Sequence, residues 1–240
     1  MVTSTTLASV ATQQGEVQIE LNRTAVVVVD MQNDFGHPQG MFARAGVDIT
    51  GIQAAVAPTA AVLAAARPAV AKVVYLKMAY RADLSDAGAP DGPNRVKQAP
   101  MGIGEQIEAP DGTTGRILIR DTWNTDIVEE LTPETGDAVI YKHRFSGFYE
   151  TGLHEILQRS NIRYLVFTGG TTSVCVESTM RDAAFRDYYC LLLEDCTAEP
   201  IGQTNHDASL HLLGRVFGWT CRSEDLLAAL KQPATAAPSA

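Results

Sequence analysis

Short runs of apolar residues, rich in valine, isoleucine and leucine, recur along the chain and predict β-strands. Five of them are clear, and a sixth is weaker: Ala25–Asp30, Lys72–Met78, Asp137–Lys142, Arg163–Gly169, Tyr188–Asp195 and, as the weaker one, Val216–Cys221. Their hydrophobicity is continuous and does not alternate with polar residues, which is typical of strands buried on both faces of a parallel sheet. The pattern therefore predicts a mostly parallel six-stranded sheet.

Segments with helical spacing of apolar residues lie between these strands. They are Ile52–Arg67, Glu150–Arg159, Val174–Asp187, Asn205–Leu213 and Ser223–Leu230. The last begins with a serine and two acidic residues, which suit the positive end of a helix. Because strands and helices alternate, we predict the α/β class, with an open, doubly wound sheet covered by helices on both sides.

Residues 21–231 are interpreted as a single domain, and three segments fall outside the alternation of strands and helices: one before this domain, one within it and one after it. Residues 1–20 are polar and lack the charged start and apolar core of a signal peptide, so they are interpreted as an N-terminal extension. Residues 81–121 hold much Gly and Pro; such a long connection is often a lid or an interface element, and the alternative is a disordered insertion. Residues 232–240, "QPATAAPSA", predict a disordered tail.

Composition excludes some classes of partner. The 240 residues carry a net charge of -9, which argues against nucleic acid, because phosphate binding relies on clustered Lys and Arg. No apolar run approaches the ~20 residues that cross a bilayer, so no membrane association is expected. The four cysteines form neither a CxxC pair nor a zinc-like spacing, which predicts reduced thiols and a cytoplasmic location.

Reactive side chains follow three of the predicted strands. Asp30 ends the first, Lys142 ends the third, and Cys175 follows the fourth within "TGGTTSVCVES". Taken singly, each has a structural interpretation: a turn cap, a solvated lysine and a small core residue. In an open parallel sheet, however, ligands bind beyond the carboxyl ends of the strands. We therefore expect a carboxylate, an ammonium and a thiol at one edge of the sheet.

These groups make chemical sense together. A helix N-terminus and the cation of Lys142 are expected to lower the pKa of Cys175, and Asp30 would accept the thiol proton and return it to a leaving nitrogen. Gly169 and Gly170 permit unusual backbone geometry and close approach. The amides of Thr171 and Cys175 would then converge on one developing oxyanion.

The stretches "VVVVDMQNDF", "YKHRFSGF" and "FTGGTTSVCVESTMRDA" resemble signatures of the isochorismatase-like cysteine hydrolases, and the likeness runs from about Thr24 to Leu230. The resemblance implies a Rossmann-like, three-layer α/β/α sandwich and a catalytic triad of Asp30, Lys142 and Cys175. It also implies a cis peptide bond at Gly170–Thr171, an oxyanion hole formed by the amides of Thr171 and Cys175, and a homo-oligomer, either dimer or tetramer.

The resemblance also narrows the chemistry. Nicotinamidases of this superfamily carry an Asp-x-His metal signature after the second strand, where this chain reads "KMAYRADLSD" without a histidine, so neither a metal nor nicotinamide as the substrate is expected. No other cofactor is expected. "RFSGFYET", "CVESTMRD" and "FGW" look like ureidoacrylate amidohydrolases. "GIGEQIEAPDGTTGRILIR" and "CLLLEDCT" look like biuret hydrolases, although Leu213 replaces a glutamine of that group. Both groups hydrolyse a C–N bond of a ureido or carbamoyl substrate.

We therefore expect a cysteine-dependent amidohydrolase that works through a thioester intermediate on a small ureido or amide substrate. The alternatives are a vinyl ether hydrolase of the isochorismatase type and a non-catalytic binding protein on the same fold. A pocket for a small planar substrate needs apolar walls and a few polar contacts. The candidates for substrate binding are Phe35, Tyr80, Asn94, Trp123, Phe145, Phe148 and Tyr149.

Overall fold

Strands and helices alternate through the computed structural model, which describes residues 6–235. The strands are β1 (Thr6–Thr12), β2 (Gly15–Glu20), β3 (Thr24–Val29), β4 (Lys72–Met78), β5 (Gln106–Glu108), β6 (Thr114–Arg116), β7 (Ala138–Lys142), β8 (Tyr164–Gly170), β9 (Tyr189–Ala198), β10 (Trp219–Cys221) and β11 (Ala234–Thr235). The helices are α1 (Asn33–Gly36), α2 (Met41–Arg44), α3 (Thr50–Ala66), α4 (Pro93–Gln98), α5 (Leu153–Arg159), α6 (Glu177–Ala184), α7 (Gln203–Leu212) and α8 (Ser223–Lys231). Residues Thr172–Val176 and Leu213–Phe217 form π-helical turns, and 3-10 turns cover Leu21–Arg23, Ala99–Met101, Trp123–Thr125 and Glu129–Leu131.

A six-stranded sheet in the order β10-β9-β8-β3-β4-β7 forms the middle layer, and all of its neighbouring strands pair in parallel. Alternate residues of β3 enter different cores: Val26 and Val28 face one, while Val27 and Val29 face the other. Helices α3 and α8 contribute to the first core, and α5 and α6 contribute to the second. The predicted three-layer α/β/α sandwich is therefore confirmed.

Strand order reverses beside β3. The chain runs from β3 outward through β4 to β7, then returns to the other side of β3 with β8 and continues to β9 and β10. The crevice beyond the carboxyl ends of β3 and β8 is thus a topological switch point, where open α/β sheets bind ligands. Asp30 and the turn that carries Cys175 both lie at this crevice.

The N-terminal segment corrects the expected domain boundary. Residues 6–20 are not an extension but an antiparallel hairpin of β1 and β2, and Val10 and Ile19 are buried in the same core as β3. In the middle of each strand alternate residues are buried, namely Ala8 and Val10 in β1 and Val17 and Ile19 in β2, and the residues between them are exposed. The expected tail begins differently too, because β11 pairs with β1. Residues 1–5 and 236–240 lie outside the described residues.

The long connection of residues 81–121 is ordered, which excludes a disordered insertion for this segment. It contains α4 and the β5–β6 hairpin, and it buries Ala87, Ile107 and Ile117 in the core shared with α3. Within residues 6–235, none of the helices has the length and apolarity needed to cross a membrane.

Candidate active site

Asp30, Lys142 and Cys175 meet at the switch point. The amine of Lys142 lies 2.7 Å from Oδ2 of Asp30 and 3.3 Å from the sulfur of Cys175. It also donates to the carbonyl oxygen of Arg144 at 3.3 Å. The three side chains are almost completely shielded, at 2%, 0% and 7% exposure respectively. A charged pair and a thiol are therefore held in contact away from bulk water.

The end of β4 fixes the carboxylate of Asp30. The amide of Met78 donates to Oδ1 of Asp30 at 2.8 Å, and the Gln32 side chain accepts from that amide and donates to the Met78 carbonyl. Asp30 adopts a φ of 51°, in the left-handed region that non-glycine residues rarely use. Its Oδ2 faces the Lys142 amine at 2.7 Å, and an ionised carboxylate oxygen has more than one lone pair. That oxygen thus has a lone pair available for the thiol proton.

The turn after β8 presents Cys175. Gly169 has a φ of +110°, and a Cβ there would lie 2.0 Å from the carbonyl oxygen of Val29, so only glycine fits. The Gly170–Thr171 peptide bond is cis, which confirms that expectation. The Thr171 carbonyl accepts hydrogen bonds from the amides of Val174 and Val176. The amide of Cys175, which lies between them in the sequence, does not donate to that carbonyl. Thr171 and Cys175 both line the cavity described below.

Burial controls the charge states and corrects one expectation. It raises the pKa of Cys175 well above its ordinary value, and the nearby Lys142 only partly opposes this. The thiol is therefore protonated at rest, and its pKa is not lowered as the sequence suggested, because loss of hydration disfavours the thiolate. Burial alone would lower the pKa of Lys142, but the facing Asp30 and Cys175 raise it, so its ammonium persists.

A cavity of about 280 Å³ opens above Cys175. Its floor holds Asp30, Thr171 and Cys175, and its walls are mainly apolar, formed by side chains such as those of Phe35, Phe42, Met101, Leu118, Phe145 and Ile201. Sites for drug-sized ligands span roughly 300–1,000 Å³. A cavity of this size therefore suits a small substrate.

Of the seven residues expected to bind substrate, Phe35 and Phe145 line the cavity. Tyr80 and Asn94 do not line the cavity, and Tyr80 is fully buried in the core. The Tyr80 hydroxyl accepts from Nδ2 of Asn94 and donates to Oε1 of Gln98, each at 3.1 Å. Tyr80 and Asn94 therefore hold Gln98, which does line the cavity.

The other three expected residues lie elsewhere. Trp123 packs edge-on against His37, with ring centres 4.9 Å apart. Phe148 is buried in the core shared with α5 and α6, where it stacks on Tyr188. Tyr149 is 46% exposed and lines a separate polar depression. Aromatic residues near a motif thus serve the core and the surface as readily as the pocket.

Sequence reasoning missed the residues that close the cavity from two other segments. Lys97, Gln98 and Met101 come from α4 and the turn after it, and Pro200 and Ile201 come from the loop after β9. The available signal was the length of the 81–121 connection, together with the rule that loops at strand carboxyl ends form sites. Within residues 6–235, no cluster of three or more His, Cys, Asp or Glu side chains is suited to hold a metal ion.

Comparisons with known proteins agree with this geometry. The family model described as the isochorismatase domain matches residues 24–225. The ureidoacrylate amidohydrolase RutB of Variovorax paradoxus is 38% identical over 89% of this chain and 83% of its own length. That of Azorhizobium caulinodans is 36% identical over 90% of this chain and 94% of its own.

Structural comparison with solved proteins indicates the same family. A cysteine hydrolase from Pseudomonas syringae pv. phaseolicola superposes with a TM-score of 0.72 at 27% identity, covering 89% of this chain and 94% of that one. N-carbamoylsarcosine amidase from Thermoplasma acidophilum gives a TM-score of 0.62 at 27% identity, covering 84% and 97%. The domain match, the relatives and the shared fold together mean that this chain belongs to the isochorismatase family.

Proposed function

We propose that this protein is a cysteine-dependent amidohydrolase that cleaves a C–N bond of a small ureido substrate of the ureidoacrylate type. The observation that carries the proposal is the contact of one buried ammonium, Lys142, with both the Asp30 carboxylate and the Cys175 sulfur at the floor of a small cavity. The relatives named as ureidoacrylate amidohydrolases support the substrate class.

In the first half of the reaction, Cys175 attacks the ureido carbonyl. Asp30 takes the thiol proton as the S–C bond forms, which avoids a free thiolate in a site where burial disfavours one. Lys142 remains charged and stabilises the carboxylate and the developing negative charge on sulfur. The amides of Thr171 and Cys175 hold the oxyanion, a contribution of about 3 kcal/mol for each donor.

In the second half, the intermediate collapses and the C–N bond breaks. The substituted nitrogen of the ureide takes its proton from Asp30 and leaves, and the remaining acyl group stays on Cys175 as a thioester-type adduct, which for a ureido substrate is an S-carbamoyl cysteine. Asp30, again a carboxylate, then removes a proton from water, which attacks the same carbon. Breaking the S–C bond returns the proton to the sulfur, releases carbamic acid, which decomposes to carbon dioxide and ammonia, and restores the resting site.

The test is an ammonia-release assay on ureidoacrylate, biuret and N-carbamoyl amino acids. The wild-type protein is expected to hydrolyse at least one ureide, and Cys175→Ala is expected to lose about 10⁴-fold or more in kcat, as removal of a catalytic nucleophile does. Cys190→Ala, which removes another buried thiol that does not line the cavity, is the matched control. Substantial hydrolysis by Cys175→Ala would exclude the mechanism, and cleavage of isochorismate by Cys175→Ser would favour a vinyl ether hydrolase.

A homo-oligomeric assembly and a cytoplasmic location belong to the same proposal. The location is supported by four cysteines that are all buried and free. Sedimentation of the purified protein tests the assembly, and a monomer at micromolar concentration would contradict it.

A further inference from the structure

Lys97 supplies an unbalanced positive charge at the cavity. The charged residues that line the cavity are Asp30 and Lys97, and the charge of Asp30 is balanced by its ion pair with the buried Lys142. In the described part of the chain, lysine forms ion pairs only at Lys77 and Lys142, so Lys97 has no carboxylate partner there. Its ammonium is thus available to a ligand in the cavity.

The helix that carries Lys97 is held in place from behind. Asn94, one turn earlier in α4, donates to the Tyr80 hydroxyl and to the carbonyl of Ala87. Gln98, the next residue after Lys97, donates to Oδ1 of Asn94 and accepts from Tyr80. Because Tyr80 is fully buried, these bonds anchor α4 to the core. The backbone of Lys97 therefore has a fixed position beside the cavity.

The remainder of the cavity is suited to an uncharged, apolar middle section of a ligand. Phe35, Met101, Leu118 and Phe145 stand with Lys97 around the space above Cys175. A ligand with a ureido group at one end would place it on the floor, against the oxyanion donors. Its carbon chain would then contact the apolar walls, and a negative group at the far end would reach Lys97.

We propose that Lys97 binds the carboxylate of the substrate, so that the enzyme selects ureido acids over neutral ureides such as biuret. This inference rests on the proposed function, because it assumes that Cys175 attacks the ureido group. It identifies Lys97 as a specificity residue and separates the two substrate classes that the sequence resemblance leaves open. Lys97 does not touch the reacting atoms, so its loss should raise KM and leave kcat nearly unchanged.

The experiment compares ureidoacrylate with its uncharged methyl ester in four proteins: wild type, Lys97→Met, Lys97→Arg and Lys231→Met. Lys231 is an exposed lysine at the end of α8, away from the cavity, and serves as the matched control. Lys97→Met is expected to raise KM for the acid at least about fivefold and to change kcat/KM for the ester less than twofold. Lys97→Arg should restore most of the affinity for the acid.

Salt provides a second measurement. Added NaCl should raise KM for the acid in the wild type, because exposed charges are screened, and should have little effect in Lys97→Met. Equal loss with acid and ester in Lys97→Met, or no loss with either, would overturn the role of Lys97 while the proposed function stands. If the wild type hydrolyses no ureide, the proposed function fails, and this inference fails with it.

Discussion

At the scale of single residues, the site depends on three groups that set one another's charge. Lys142 keeps its proton because Asp30 and Cys175 face it, and Cys175 keeps its proton because burial disfavours the thiolate. That these three side chains meet could be predicted, because each lies at the end of a strand and the carboxyl ends of parallel strands share an edge. The protonation of the Cys175 thiol could not be predicted from the sequence, because it depends on burial that only the folded chain creates.

The ion pair gives a prediction about stability. Lys142→Met is expected to destabilise the fold by about 3 kcal/mol, because it leaves the Asp30 carboxylate buried without its partner. The double variant Asp30→Asn/Lys142→Met removes both charges and should recover part of that loss while remaining inactive. Urea unfolding measures both, with Lys231→Met as a control that should change stability by less than about 0.5 kcal/mol. Wild-type stability in Lys142→Met would contradict the account.

Asp34 gives a prediction about pH. Its buried carboxylate accepts from the amides of Met41 and Leu118 and from Asn124. Burial outweighs these bonds and raises the pKa of Asp34 from 3.8 to about 6. The folded protein thus holds this proton more tightly than the unfolded chain does. The resulting stabilisation is present below pH 3.8 and is lost as the pH rises through about 6.

Asp34→Asn removes this titration. We subtract the free energy of unfolding of Asp34→Asn from that of the wild type. This difference is expected to fall by about 3 kcal/mol between pH 3.8 and pH 7. Urea unfolding at several pH values measures it. A difference that stays constant or rises with pH would show that Asp34 ionises normally.

At the scale of elements, the turn after β8 differs from its prediction in a specific way. A helix was expected from Val174, but the chain first makes the π-helical turn Thr172–Val176, and α6 begins at Glu177. Helical periodicity does not separate a π-helical turn from the α-helix that follows it. The strand-end loop after β9, which brings Ile201 to the cavity, carries no periodic pattern at all.

Gly169 makes this turn testable. Gly169→Ala is expected to destabilise the protein by at least about 3 kcal/mol, because the added Cβ would meet the Val29 carbonyl oxygen at a positive φ. The matched control is Gly152→Ala, where a Cβ meets nothing within 4 Å and φ is -81°. Thermal unfolding compares them. Equal melting temperatures for the two variants would mean that the turn relaxes freely.

At the scale of the whole molecule, the parallel sheet was predictable because its strands are continuous apolar runs. The N-terminal hairpin was not predicted, because β1 and β2 bury only two residues each and mix apolar with polar residues. Its partners, α8 and β11, come from the other end of the chain. Such long-range pairing leaves little signal in a local stretch of sequence.

The hairpin is expected to unfold together with the rest of the domain. Ile19→Ala should cost about 2–4 kcal/mol, because Ile19 is fully buried in the main core, whereas Gln18→Ala on the exposed side should cost less than about 0.5 kcal/mol. Urea unfolding followed by two probes measures this. A separate early transition for the hairpin would instead support an independent N-terminal extension.

The central claim is that Cys175 carries the substrate covalently, and rapid-quench mass spectrometry of the intact protein with ureidoacrylate tests it most directly. The account predicts that the wild type transiently gains the mass of one carbamoyl group, that the group maps to the peptide containing Cys175, and that Cys175→Ala never gains it. Hydrolysis of ureidoacrylate by Cys175→Ala at a rate near that of the wild type, with no adduct on either protein, would contradict the account.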